Sequence, residues 1–513
     1  MKQNINIVEV EASDLKLIPL EEKCSTITGS KSSKKGIFNQ ILVTGVMLIY
    51  AAACGMPIGY SAILLPQLYN TTGELAIDIE MGSWIASIHS LATPIGSFTS
   101  GPLSDRFGRK TILLFNTIPL LCGWISMAMA QSHIMLLGGR LLAGFAVGVA
   151  GPPAQILLAE IADQNIRGAI IGAPFVSYSI GILLIYTLGL FLNWRTAAWY
   201  ATILPILTGI TILFIPESPT WLIRNGKSEK AKKTLSWIRM DPFAAEQDFS
   251  NLVKRFESEK KNLLKENDAM STNFLNTLCK REVVIPFLII NIFNFLIIFS
   301  GTYLIIFYAI DIFIDIGGNI STMQAAIITA LVRILCTFIF CFLLFVLKRK
   351  TIIISSGIGS GISSLLLSVF TLDKFWNSSS QAYSTYILAA CIVVYIAFNT
   401  SFMVMPGIMI GELLPSKVRG QIAGYIFALA HISTFLVAKL FPRIKQSVKI
   451  NGLFLIFGIA SFLLALVMFL ILPEAKGKTL EEIEDEFKFF KFIWSKENKK
   501  NKANEESQNL SKE

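Results

Sequence analysis

Runs of about twenty apolar residues recur along nearly the whole chain, separated by short polar stretches. About twenty is the number a helix needs to cross ~30 Å of hydrocarbon. The runs predict spans at 39–63, 81–102, 111–130, 134–157, 168–191, 196–215, 283–308, 322–347, 351–371, 383–412, 420–441 and 451–472. The expectation is an all-α membrane protein of twelve transmembrane helices in two six-helix, pseudo-symmetric bundles. A polar N-terminal segment, 1–38, leads into the first bundle at 39–216. A Lys-rich linker with short helical runs, 217–282, separates it from the second bundle, 283–472, and a tail occupies 473–513. From 485 onward that tail is a Lys/Glu/Asn mixture too poor in apolar residues to fold alone.

Composition agrees with the runs: only 16% of residues are charged, against about 25% in soluble domains. The net charge of +10 raises nucleic acid as a partner. The basic residues fall between apolar runs, however, which is the positive-inside pattern of a membrane protein, and nucleic acid is set aside. Lys31, Lys34 and Lys35 stand ahead of the first span, with no signal-peptide pattern before them. Arg106, Arg109, Lys110, Lys348, Arg349 and Lys350 mark later inner loops. Both termini are therefore placed in the cytoplasm. Arg443, Lys445 and Lys449 disagree, since the span count puts them outside. Sequons at Asn70, Asn319 and Asn377 fall in expected outer loops and are candidate glycosylation sites.

The remaining chemistry is sparse. Cys24, Cys54, Cys122, Cys279, Cys336, Cys341 and Cys391 show no metal-ligand spacing and read as packing residues. No nucleophile constellation, nucleotide-binding loop or metal cluster is present, so neither an enzyme nor a cofactor is expected.

An internal repeat is more informative. Glu160, Arg167 and Gly168 form E-x6-R-G, and Glu412, Arg419 and Gly420 repeat it about half the chain later. Pro216-Glu217 and Pro473-Glu474 follow the sixth and twelfth spans in the same register. Two parallel six-helix repeats with polar landmarks on one face describe a rocker-type secondary transporter. Charges at helix ends in a membrane need solvent or partners. Asp105, Arg109, Glu160, Arg167 and Glu217 are therefore candidates for a paired cytoplasmic gate, the alternative being ordinary solvated loop charges.

GPLSDRFGRK, AEIADQNIRG, PESPTWLIRNGK, GELLPSKVRG and PEAKGKTLEEIE, in that order, resemble the signature set of the sugar porter family of the major facilitator superfamily. The likeness extends from about 40 to 487, and PESPTWLIRNGKSEKAKKTLSWIR and HISTFLVAKLFP are most similar to its insect trehalose-transporter-like branch. The resemblance implies the major facilitator fold and alternating access to a sugar site between the halves. Asp105, Arg109, Glu160, Arg167, Glu217, Glu412, Arg419 and Glu474 match its gate charges. In the second loop motif, FVLKRK, only Arg349 and Lys350 survive, which predicts a weaker clamp there.

The chain departs from the family where sugar is bound. Ile297 and Ile298 replace a Gln pair, Tyr303 an Asn, Phe175 a Gln, and Gly407 and His431 two Trp. Ser61, Tyr178, Asn294, Tyr303, Arg333, Asn399 and His431 remain as candidate solute contacts, each with interhelical packing as its alternative. Arg333 lies mid-span, where an uncompensated charge is expensive. It is expected to line a cavity, with a structural pair to Asp311 or Asp315 as the alternative. Ser61 stands where proton-coupled relatives carry an acid, which implies facilitated diffusion, although His431 leaves a titratable group in the region. The expected protein is a monomeric, multi-pass plasma-membrane uniporter for trehalose, a hexose or a polyol, in contact with lipid and solute alone. The rivals are a carrier of a different, anionic solute and a non-transporting sugar sensor.

Overall fold

The computed structural model describes residues 34–163, 166–266, 281–310, 312, 322–371, 381–414, 419–474 and 487. The side chains of residues 34, 167, 169, 255, 259–266, 322, 345, 381–386 and 419–421 lie outside that description. Helices dominate, as expected where no water is available to pair an open backbone. The first set comprises α1 (Lys34–Tyr69), α2 (Ile79–Phe107), α3 (Arg109–Ala128), α4 (His133–Ile161), α5 (Arg167–Phe191), α6 (Trp194–Ala201) and α7 (Ile203–Leu213). Three linker helices follow: α8 (Pro219–Arg224), α9 (Ser228–Arg239) and α10 (Pro242–Glu266). The second set is α11 (Arg281–Phe299), α12 (Leu304–Phe307), α13 (Thr322–Val346), α14 (Arg349–Phe370), α15 (Gln381–Asn399), α16 (Ser401–Leu413) and α17 (Arg419–Ile471).

Ten helices among the described residues are long and apolar enough to cross a membrane. Two further features bring the architecture into line with the twelve expected spans. The 29 residues of α2 reach about 43 Å, but its many Ser and Gly lower its hydropathy. The 53 residues of α17 are about twice a crossing, and Lys449 (φ 55°, ψ 179°) breaks them where the sequence separates its last two spans.

Several expected spans are interrupted. The sixth is α6 and α7, divided at Thr202. The tenth is α15 and α16, divided at Thr400. The seventh stops at Phe299, turns through Gly301 (φ 82°) and resumes as α12. Local chemistry explains other ends. Asp78 caps α2 through Met81 N (2.7 Å), Asn193 caps α6 through Thr196 N (2.9 Å), and Ser218 caps α8 ahead of Pro219.

Without a hydrophobic drive between helices in lipid, close approach depends on small residues. Gly55 and Gly181 let α1 and α5 pack backbone to backbone, while Gly144 and Gly148 do the same for α4 against α2. The two sets meet along α2 with α17 and along α5 with α13. Trp84 faces Phe435 at 6.0 Å, Phe98 faces Tyr425 at 5.4 Å, and Tyr186 donates to the Ile306 carbonyl at 2.9 Å. The linker helices sit at the α1 N-terminal end, where Asn39 donates to the Trp237 carbonyl (2.6 Å).

Candidate functional site

The charged rim is built twice. Gly108 (φ 102°) turns the chain from α2 into α3, and any Cβ there would collide with the Glu217 carboxylate. Oε1 of Glu217 accepts from the backbone N–H groups of Arg109 (3.0 Å), Lys110 (3.1 Å) and Ser218 (2.8 Å). A carboxylate at the start of α3 also complements the helix dipole. The buried Arg109 guanidinium reaches Asp105 at 3.2 Å, Glu160 at 3.8 Å and the Ser104 carbonyl at 3.2 Å. Ser218 Oγ donates to Glu160, and Trp221 Nε1 donates to the Asp105 carbonyl (2.8 Å).

The second copy keeps this plan. Arg349 N donates to Glu474 Oε1 at 3.3 Å, and its Nη1 donates to the Leu344 carbonyl at 2.7 Å, five residues back as in Arg109 to Ser104. Its Nε and Nη2 reach Glu412 Oε1 at 3.1 and 2.8 Å. The Arg–Glu contact is shorter in the second copy than in the first, while among the described residues no second-copy counterpart of the Asp105–Arg109 pair is seen. A fork presented side-on to the carboxylate explains the shorter contact. All these contacts join helices within one set or join α8 to the first. The side chains of Arg167 and Arg419 lie outside the described residues, so their share in the gate stays an expectation.

Deeper in the bundle, the α11–α12 break is held by α15. Asn399 Nδ2 donates to the Ser300 carbonyl (3.2 Å), as does Tyr395 Oη, and Thr302 Oγ1 donates to Asn399 Oδ1. Asn399, a candidate solute contact, therefore braces the broken helix in this conformer. Arg333 on α13 is 4% exposed, with Nη1 3.0 Å from Met403 Sδ. A thioether is a weak acceptor. Tyr186, Tyr303 and Tyr395 lie within electrostatic reach, and among the described residues no carboxylate is paired with Arg333. Asp311 and Asp315 are outside the described residues, as are Asn319 and Asn377. Asn70 is exposed in the turn after α1.

Tyr178 on α5 lies within reach of Tyr303 across the junction of the two sets. Asn294 is 6% exposed, and its Nδ2 finds no partner among the described residues. The phenyl ring of Phe175 fills the space beside Gly407, where an added Cβ would come within 3.1 Å of Cζ. Two departures from the family thus lie side by side in the fold. Half-buried His431 on α17 interacts electrostatically with His89 on α2, whose Nε2 is buried without a partner among the described residues.

Ser61 leads to a residue that pattern reading passed over. Arg140 on α4 is wholly buried and donates through Nη1 to the Pro57 carbonyl (3.0 Å) and through Nη2 to Ser61 Oγ and the Ala86 carbonyl (3.3 Å). Its signal was available, because a lone Arg inside HIMLLGGRLLAG carries the same cost that singled out Arg333. His89, Ser218 and Trp221 were also missed. Nothing in their local sequence sets them apart from packing and capping residues.

A family model for sugar (and other) transporters matches residues 41–487. A facilitated trehalose transporter Tret1-2 homolog of Drosophila simulans is 31% identical over 453 residues, covering 87% of this chain and 90% of the relative. The facilitated trehalose transporter Tret1 of Polypedilum vanderplanki is 31% identical over 450 residues, covering 87% of this chain and 88% of the relative. Among solved structures, the major facilitator superfamily proton:xylose symporter XylE bound to 6-bromo-6-deoxy-D-glucose matches with a TM-score of 0.72 at 20% identity, covering 88% of this chain and 100% of that one. The inward-open conformation of XylE from E. coli matches with a TM-score of 0.69 at 19% identity, covering 87% and 99%. The duplicated rim, the helical architecture and these likenesses lead to one identification: the chain is a multi-pass membrane protein of the sugar (and other) transporter family, with the major facilitator fold.

Proposed function

We propose that this protein carries a neutral sugar, trehalose or a hexose, down its gradient by alternating access. The observation that carries the uniport reading is the partnership of Ser61 with Arg140. A proton-coupled carrier needs a titratable acid in the transport path. Here the buried guanidinium donates to a hydroxyl and two backbone carbonyls, none of which titrates near neutral pH. The curated relatives carry trehalose in their names, which favours a sugar over an anionic solute or a sensor role.

Arg333, Tyr178 and Tyr303 gather donors near the junction of the two sets, and Phe175 supplies an aromatic wall. Donors beside a ring suit a ligand of hydroxyls and C–H faces. On this reading the bundles at 39–216 and 283–472 move against one another in the plasma membrane, with both termini and the linker cytoplasmic and Asn70 on the outer face. The test is uptake of radiolabelled trehalose, glucose and organic anions into proteoliposomes, with and without an imposed pH gradient. Trehalose or hexose equilibration unaffected by the gradient is expected. Accumulation abolished by a protonophore, or uptake of anions alone, would overturn the proposal.

A further inference from the structure

At the end of the bundle away from the linker helices, one cation crosses from the second set to the first. Lys439 on α17 places Nζ 2.8 Å from Ser83 Oγ and 3.3 Å from the Glu80 carbonyl on α2. The same ammonium stands 4.0 Å over the Trp84 ring, and Trp84 packs on Phe435, one turn earlier on α17. Ser83 is 4% exposed, and its hydroxyl donates back to the Glu80 carbonyl at 2.7 Å, leaving its lone pairs to receive the lysine. A lysine near a span end ordinarily extends its ammonium into water. This one turns sideways across the seam into two acceptors and an indole face, with Asp78, Glu80 and Arg443 as its charged neighbours.

We propose that Lys439 and Trp84 form the latch that keeps this end of the carrier shut. The contact joins the two helix sets, so opening at this end must break it, whereas closing remakes it. Among the described residues, the rim contacts Arg109–Glu160 and Arg349–Glu412 at the other end each join helices within one set. Lys439 and Trp84 therefore set the balance between the two access states without belonging to the solute site. For its consequence in transport the latch rests on the alternating-access reading, but its test does not use solute.

The experiment places a cysteine at Ile88, one helical turn deeper along α2 than Trp84, in purified protein held in nanodiscs. Reaction with a membrane-impermeant maleimide is followed by mass spectrometry of the peptide containing residue 88. Lys439→Met and Trp84→Leu are each expected to raise the labelling rate roughly three-fold to ten-fold, as a part-buried cation–π contact is lost. Lys439→Arg and Trp84→Phe keep a cation and a ring and should stay within about two-fold of the parent. Unchanged labelling in Lys439→Met and Trp84→Leu overturns the latch. So does a rise in Lys439→Arg equal to that in Lys439→Met, which would assign the effect to packing rather than to the cation.

Discussion

Ser61 on α1 accepts a hydrogen bond from Nη2 of Arg140 on α4, and both side chains are wholly buried. A guanidinium held at this depth by a hydroxyl and two carbonyls has little reserve. Removing one acceptor leaves a buried donor unsatisfied, at about 1–3 kcal/mol. Ser61→Ala is therefore expected to lower thermal stability by that amount, measured by unfolding of the purified protein in detergent.

Ser61→Asp tests the coupling argument from the opposite side. A carboxylate beside Arg140 introduces an ion pair that exists only while the acid is ionised. Wild-type uptake should be flat with pH across the neutral range. The variant should slow as pH rises and the pair forms, then recover as acidification protonates residue 61. A pH-independent Ser61→Asp would show that this position lies off the transport path.

The Phe175 ring lies against Gly407. Gly407→Trp forces an indole into a filled site and should destabilise by about 1–3 kcal/mol. Phe175→Ala leaves a void. The double variant should recover at least about 1 kcal/mol relative to the sum of the singles, as expected for neighbours in contact. Strict additivity in a double-mutant cycle would count against a coupling between these two positions.

Arg349 meets Glu412 with two nitrogens, and both side chains keep some solvent access, 19% and 28%. Partial screening limits the pair to about 1–2 kcal/mol, and Arg349→Met should lose that much. Arg349→Lys should recover only part, because an ammonium cannot reproduce the fork or the bond from Nη1 to the Leu344 carbonyl. Thermal unfolding of the three proteins at low and high salt checks both statements.

Arg333 donates to a thioether, and neighbouring hydroxyls surround it. Arg333→Gln removes an expensive charge without orphaning a carboxylate among the described residues. Folding should survive, while the ratio of trehalose to hexose uptake changes at least about threefold. Competition uptake in proteoliposomes decides the matter, and an unchanged ratio would make Arg333 structural.

Much of this architecture was legible because the bilayer imposes lengths. Apolar runs of fixed size foreshadowed the long helices, and the glutamates of the E-x6-R-G repeat pair with Arg109 and Arg349 in the two halves. Helix interruptions at Ser300–Tyr303 and Thr400 were not legible. Gly301 and Thr400 look like ordinary apolar-span residues until Asn399 and Tyr395 are seen holding the Ser300 carbonyl. Asn399 illustrates the limit for the site. Its residue type suggested a solute contact, and its bonds in the fold are to the protein.

By itself the sequence determined class and family, since these follow from local length, composition and ordered motifs that need no partner. Tertiary structure alone decided which buried polar group answers which. Ser61 belongs to Arg140, Phe175 lies against Gly407, and Lys439 reaches Trp84 across the seam. Each of these pairs comes from helices far apart in the chain. Hydrogen bonding, steric fit and cation–π attraction act over a few ångströms of space, and sequence separation carries no information about that distance.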